Sequence, residues 1–116
     1  MPKTAVAAAC KYHVYVIELD PAALSEKLIV EANPNPRKDL PALYVGQSWR
    51  TPEVRFVQHK SGIKSSRMVR RFGIKLRYDL VLVFGKGPLG TRAEAEAEEA
   101  RLTAALRAAG YPVWSH

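Results

Sequence analysis

The sequence predicts a single domain that mixes strands and helices, and three observations carry that prediction. Runs rich in β-branched and aromatic residues recur at 12–19, 41–46 and 76–84. Capping residues bracket short segments between them, and a long Ala-Glu tract near the end has the composition of a helix rather than of a disordered tail. At 116 residues the chain can bury a real core as one domain without disulfide or metal staples.

The first run, YHVYVIEL, places Tyr15, Ile17 and Leu19 on one face and Val14 and Val16 on the other, so both faces are expected to be covered. Asp20-Pro21 ends it. Residues 22–32 have some helical character, with Leu24 and Leu28 four apart, and the proline-rich segment Asn33–Asp39 reads as loop. Residues 20–41 therefore form a long insertion between the first two strands.

Pro41 to Gly46 reads as the second strand. Thr51 is a good N-cap, Pro52 suits the first helical position, Glu53 favours the positive end of the helix dipole, and Gly62 is placed to end the helix. Ser65 or Ser66 starts a further short helix that Gly73 stops. Leu76 to Phe84 reads as the third strand. Thr91 caps the longest helix, Arg92 to Ala109, closed by Gly110 and followed by Pro112. The tail 111–114 is expected to add a short strand or to pack over the core.

Composition narrows the function. With 47% hydrophobic residues the chain is not disordered as a whole. Cys10 is the only cysteine, which excludes an internal disulfide and the multi-cysteine zinc fingers and suits a reducing interior. The apolar run 4–10 is broken at Lys11, too short for a signal sequence, and nothing approaches the roughly 18 apolar residues of a membrane span. A cytoplasmic domain with a flexible segment at 1–11 and no membrane partner is the expectation.

The net charge of +7 points to a polyanion. No acidic residue lies between Glu53 and Asp79, whereas Arg55, Lys60, Lys64, Arg67, Arg70, Arg71, Lys75 and Arg77 do. A one-signed surface of that kind can neutralise several phosphates by counterion release. The competing reading is a solvated basic face or an ion-pair surface for the acidic helix. Ser65 and Ser66 could add hydroxyl contacts to phosphate oxygens.

Two further features carry chemistry. Arg55 and His59 lie four apart, so they project from one helix face just beyond the end of the second strand. On the last helix, Ala95, Leu102, Leu106 and Ala109 form an apolar stripe at about 100° per residue, and Glu99 falls on it, with Glu98 at its edge. A carboxylate facing a core is paired, metal-bound or at an open cleft, because burying it alone is expensive. Periodicity leaves a metal or cleft role and an ion pair, for instance with Arg55, equally open. Trp49 could stack on a base or pack on the sheet edge.

With those residues in view, the chain resembles the GIY-YIG nuclease family. His13-Val14-Tyr15-Val16-Ile17 is similar to the family's first motif and Tyr44-Val45-Gly46 to its second. Arg55 falls where the family has its catalytic arginine, His59 resembles a histidine of many members, and Arg92–Leu102 resembles the helix around its metal-binding glutamate, selecting Glu99. The likeness spans Tyr12 to Trp114. Three departures stand out: His13 replaces the leading glycine, the 20–41 insertion separates the two tyrosines, and the only asparagines are Asn33 and Asn35, away from the end of the domain.

The resemblance implies an α+β fold, a small three-stranded antiparallel sheet flanked by helices. It implies hydrolysis of DNA phosphodiester bonds by water activated near Tyr15 or Tyr44, with Arg55 stabilising the phosphate and one Mg²⁺ or Mn²⁺ on Glu99. His59 would be an alternative base or a phosphate ligand. A tyrosine acting as base needs neighbouring positive charge to lower its pKa from about 10. The basic residues Lys60, Lys64, Arg67, Arg70, Arg71 and Lys75 would bind the nucleic acid. A monomer or homodimer is expected, with specificity from the domain itself, an oligomer or a protein partner. The alternative is a non-catalytic nucleic-acid-binding module on the same fold. Either way, Tyr15, Tyr44, Arg55, His59 and Glu99 should line one cleft.

Overall fold

In the computed structural model, which describes residues 12–115, the two alternating apolar runs pair with each other first. β1 (His13–Leu19) and β2 (Leu43–Ser48) run antiparallel, with Tyr15 opposite Gly46 and Ile17 opposite Tyr44. The alternation sorts their side chains into two cores. Tyr15, Ile17, Leu19 and Tyr44 enter one, with Ile29, Met68 and Val69; Val14, Val16, Leu43 and Val45 enter the other, with Leu80, Leu102, Leu106 and Val113.

Between the strands, residues 21–25 form a 3₁₀ turn and α1 spans Lys27–Ala32. The expected Leu24–Leu28 face is not the buried one: both leucines are exposed, and Ala23 and Ile29 pack instead. The insertion is firmly anchored through buried Asn33. Its amide donates to the Ile29 and Val113 carbonyls, while its oxygen accepts from the Val113 N–H and from Arg107 Nε, all within 2.8–3.1 Å. A polar group satisfied on every side in a buried position holds the insertion against the end of the chain.

α2 (Pro52–Ser61) starts and stops at the expected residues: the Thr51 hydroxyl accepts from Val54 N–H, and Gly62 takes the left-handed conformation at φ 84°. α3 (Arg67–Phe72) leads directly into β3 (Gly73–Leu76), which pairs antiparallel with β1. The expected strand over 76–84 is corrected: only Leu76 belongs to a strand, and Tyr78–Phe84 form a helix, α4. The all-apolar stretch 80–84 carries no period of its own. Leu80, Val81 and Phe84, at helical spacing, reach the second core and leave Leu82 and Val83 exposed. Arg77 ties the start of α4 to β1 through Glu18 at 2.8 Å and to Asp79 at 2.8 Å.

α5 (Arg92–Ala108) opens on a capping box in which Thr91 and Glu94 satisfy each other's backbone N–H groups. β4 (Val113–Trp114) then pairs parallel with Leu43 and Tyr44. Among the described residues the sheet thus has four strands in the order β3-β1-β2-β4, mixed rather than purely antiparallel. Of the two options open for the tail, the short strand is the one formed, and β4, only two residues long, makes a fourth strand where the resemblance implied three. α2 and α3 cover the tyrosine face and α4 and α5 the other. Since β4 stops beside Tyr44, no strand among the described residues covers the outer edge of β2 beyond it. No helix among the described residues is long and apolar enough to cross a membrane. The expected flexible segment 1–11 lies outside the described residues.

Candidate active site

Strand register builds the centre of the site. Because Tyr15 stands opposite Gly46, its phenol lies across that glycine: a β-carbon there would sit 2.5 Å from the Tyr15 oxygen. Tyr44, two residues earlier on the same face, brings its ring centroid within 6.4 Å of Tyr15. α2 then delivers His59, only 1% exposed, against both rings; its centroid is 5.7 Å from Tyr44 in an edge-on arrangement. His59 is thus part of the core.

The hydrogen bonds of His59 fix its proton. The backbone N–H of Ser66 donates to Nδ1 at 2.9 Å, so Nδ1 of the neutral ring is the acceptor and Nε2 carries the hydrogen. Nε2 lies 2.9 Å from the Tyr15 oxygen and therefore donates to it. The phenol O–H of Tyr15 is left to point at another acceptor. This tautomer suits a group that orients Tyr15 more than one that takes a proton from water.

Arg55 closes the loop that supplies the Ser66 N–H. Its guanidinium donates to the Lys64 carbonyl at 2.7 Å, the Ile63 carbonyl at 3.3 Å and Gln58 Oε1 at 3.4 Å. Lys64 sits at φ 42°, a conformation unusual for a residue with a side chain, and the Arg55 contacts hold it there. The Arg55 charge acts on both tyrosines.

Helix α5 presents two carboxylates to the protein, with different fates. Glu98, 6% exposed, is paired: Arg101 grips it at 2.6 Å and Lys86 N–H donates to it at 2.9 Å. The Arg101 guanidinium holds its carboxyl below the usual range. Glu99 is half-buried, and among the described residues no hydrogen bond or ion pair engages its carboxylate; the pairing with Arg55 that periodicity left open is not formed. Burial, and secondarily the charge of Glu96, push its pKa from 4.5 up to about 7. Gln47, Arg92, Glu96 and Ser115 line the same cleft at the open edge of β2.

The tyrosines do not behave as a lowered-pKa base requires. Burial drives both phenols up, Tyr44 to about 12 and Tyr15 further, with Tyr44 and Glu99 adding to the Tyr15 shift and Arg55 opposing it only in part. Both are neutral near pH 7. Glu99 is thus within electrostatic reach of both rings, although α5 lies on the opposite face of the sheet.

The five residues consequently do not line one continuous cleft. Tyr15, Tyr44 and His59 form a buried cluster; Arg55 opens from it into a cleft with Lys64, Ser65, Ser66, Arg67 and Arg71, whereas Glu99 opens into the cleft at the edge of β2. The basic residues divide as well. Lys60 is committed to the Arg70 and Gly73 carbonyls at 3.2 and 2.9 Å, ending α3 and its dipole. Arg70 and Lys75 are exposed outside the basic cleft, Lys75 on the edge strand. Trp49 is 61% exposed, with the Arg50 guanidinium 4.4 Å from its ring centroid.

Sequence reasoning missed the positioning role of the Ser66 backbone and the company of Glu99, namely Gln47, Glu96 and Ser115. Gln47 carried a readable signal, one residue past the glycine that ends the second motif; the backbone of Ser66 carried none. In comparisons with known proteins, no family model, no curated protein and no solved structure matches the chain.

Proposed function

We propose that the protein is a metal-dependent endonuclease of the GIY-YIG type, hydrolysing phosphodiester bonds in DNA. The observation that carries this reading is the Ser66–His59–Tyr15 hydrogen-bond chain, set between a cationic cleft holding Arg55 and an unpartnered carboxylate, Glu99. An anionic substrate in the cationic cleft would bring a phosphate to Arg55, and Tyr15 would be the hydroxyl that orients water or a phosphate oxygen. His59, donating to Tyr15, would hold that hydroxyl in place. Arg55 would stabilise the charge that builds on the phosphate during attack.

The residues around Glu99 fit a hard divalent cation. The carboxylate is unpaired, and Gln47 and Ser115 beside it offer oxygen, whereas Glu96 is paired with Arg92 at 3.1 Å and would have to exchange that partner for the ion. Among the described residues no group of three or more His, Cys, Asp or Glu side chains is placed to hold a metal ion, so Glu99 would be the main protein ligand, a pattern that suits Mg²⁺ or Mn²⁺ sharing its positions with water and phosphate. When bound, such an ion supplies Lewis-acid stabilisation of the phosphate and acidifies water. This is also why neutral tyrosines are compatible with the reading: Tyr15 and Tyr44 would orient water, not deprotonate it unaided.

A second reading, a binding module without turnover, is favoured by two observations: Arg55 already serves three protein acceptors, and both phenols hold their protons. Incubation with supercoiled, single-stranded and branched DNA in Mg²⁺ or EDTA separates the two. Metal-dependent nicking supports the endonuclease; binding without nicking in any metal supports the module.

A further inference from the structure

The cationic cleft has a floor that phosphate binding does not require. Phe72, Met68 and Trp114 line it, and Arg55, Lys64, Arg67 and Arg71 surround it. Phe72 and Trp114 are half-buried and keep part of their surface open to the cleft. Its volume of about 320 Å³ falls within the ~300–1,000 Å³ of small-molecule pockets. The outer wall is built by the insertion, from Glu26 and from Leu28, which is 51% exposed, and Trp114 is held in place by β4. This explains why α1 leaves an exposed leucine on the surface: Leu28 closes a cleft.

We infer that this cleft is a subsite for one unstacked nucleotide of a DNA strand. The occupant is named by charge and shape together. A phosphate alone needs cations and no apolar floor; an apolar ligand needs the floor and no cations. A nucleotide out of its stack presents a flat π-face beside an anion, and base–aromatic stacking contributes about 1–3 kcal/mol per base. The Arg71 guanidinium already lies 4.9 Å from the Phe72 ring centroid, forming the flat mixed surface on which a base stacks. Glu26, the one carboxylate among the lining residues of the cleft, is an acceptor for amino or imino hydrogens on the base edge.

Because Arg55 lines this cleft and its charge acts on Tyr15, an unpaired nucleotide held here would place its neighbouring phosphate at Arg55. The preferred substrate class is then DNA with an unpaired nucleotide, such as a flap or a bulge, over continuous duplex. The inference rests on the nucleic-acid reading of the cleft and not on hydrolysis.

The test is metal-free. In a Trp49→Phe background Trp114 is the remaining tryptophan of the two in the chain, so its fluorescence reports the cleft. Titration in EDTA with a flapped duplex and with a blunt duplex of equal length should show saturable Trp114 quenching by the flap and about tenfold tighter binding of it, the effect of one stacked base. Leu28→Glu, at an exposed position, and Arg71→Ala should each bring the flap-to-blunt ratio close to one. Equal affinities in the parent protein, or a preference that survives both substitutions, would overturn the subsite. A preserved preference without nicking in Mg²⁺ would sink hydrolysis and leave the subsite standing. Nicking without any preference would do the reverse.

Discussion

Tyr15 lies across Gly46 of the neighbouring strand so closely that the glycine has no room for a β-carbon, which would approach the phenol oxygen to 2.5 Å. The two residues face each other in the β1–β2 register, so the packing follows directly from strand pairing. Gly46→Ala must therefore displace a buried ring that is bonded to His59. Overpacking of that kind costs about 1–3 kcal/mol. Urea denaturation should show a loss of that size, and any nicking activity should fall with it. A variant as stable and as active as the parent would mean that the ring can move freely, and that its position is not fixed.

The His59 tautomer is directly observable. With Ser66 N–H donating to Nδ1, long-range ¹H–¹⁵N spectra at neutral pH should show the hydrogen on Nε2. His59→Ala leaves the Ser66 N–H and the Tyr15 hydroxyl without this partner in a buried setting, at a cost of about 1–3 kcal/mol for each group left unsatisfied. A hydrogen on Nδ1 would contradict the donor role toward Tyr15.

Glu99 makes stability depend on pH. Its pKa is raised in the folded protein to about 7 from 4.5, so the folded state binds a proton more tightly than the unfolded one. The contribution is fully present below pH 4.5 and is lost as pH rises through 7. In full the shift is worth about 3 kcal/mol, discounted to about 1 kcal/mol because the group is partly solvated. Glu99→Gln should accordingly be about 1 kcal/mol more stable than the parent at pH 8 and no more stable at pH 4. Added Mg²⁺ should raise the melting temperature of the parent at pH 8 and not that of the variant, since binding the folded state alone stabilises it. A variant gap that does not change with pH would remove the case for an unpaired carboxylate.

The basic surface divides by what each side chain touches. Arg67 and Arg71 border the cleft and are exposed, so each change to Ala should weaken DNA binding and reduce the salt slope by about 1. Lys60 is turned to the Arg70 and Gly73 carbonyls, and Lys60→Ala should lower stability while leaving the salt slope as it was. Equal slopes across the three variants would place the nucleic acid elsewhere on the surface.

What could be read from the sequence follows from the range of the forces involved. β1 and β2 were legible because alternation matches the pleat, and α2 and α5 because Thr51, Gly62 and Thr91 act within one turn of their own residues. The helix at 78–84 was not, since Tyr78–Phe84 carries β-branched and aromatic residues yet packs by Leu80, Val81 and Phe84. β4 depends on a partner seventy residues away, from Leu43 to Val113, and on Asn33, none of which a local pattern encodes. The site shows the same division. Helical spacing put Arg55 and His59 on one face of α2, but not the depth of His59 or the Ser66 N–H that sets its tautomer. Phase placed Glu99 on the apolar stripe of α5 and Glu98 at its edge; in the structure Glu98 is the more deeply buried of the two, its charge offset by Arg101.

The central claim joins Glu99 to a buried tyrosine cluster as one phosphodiester-hydrolysing site, and single-turnover nicking of supercoiled DNA tests it most directly. The parent should nick in Mg²⁺ and stop in EDTA, and Glu99→Gln, folded by its own melting curve, should lose about 10²–10³ in rate, the scale of removing a group that stabilises transition-state charge. Nicking by Glu99→Gln at the parent rate, with the same dependence on Mg²⁺, would contradict the account.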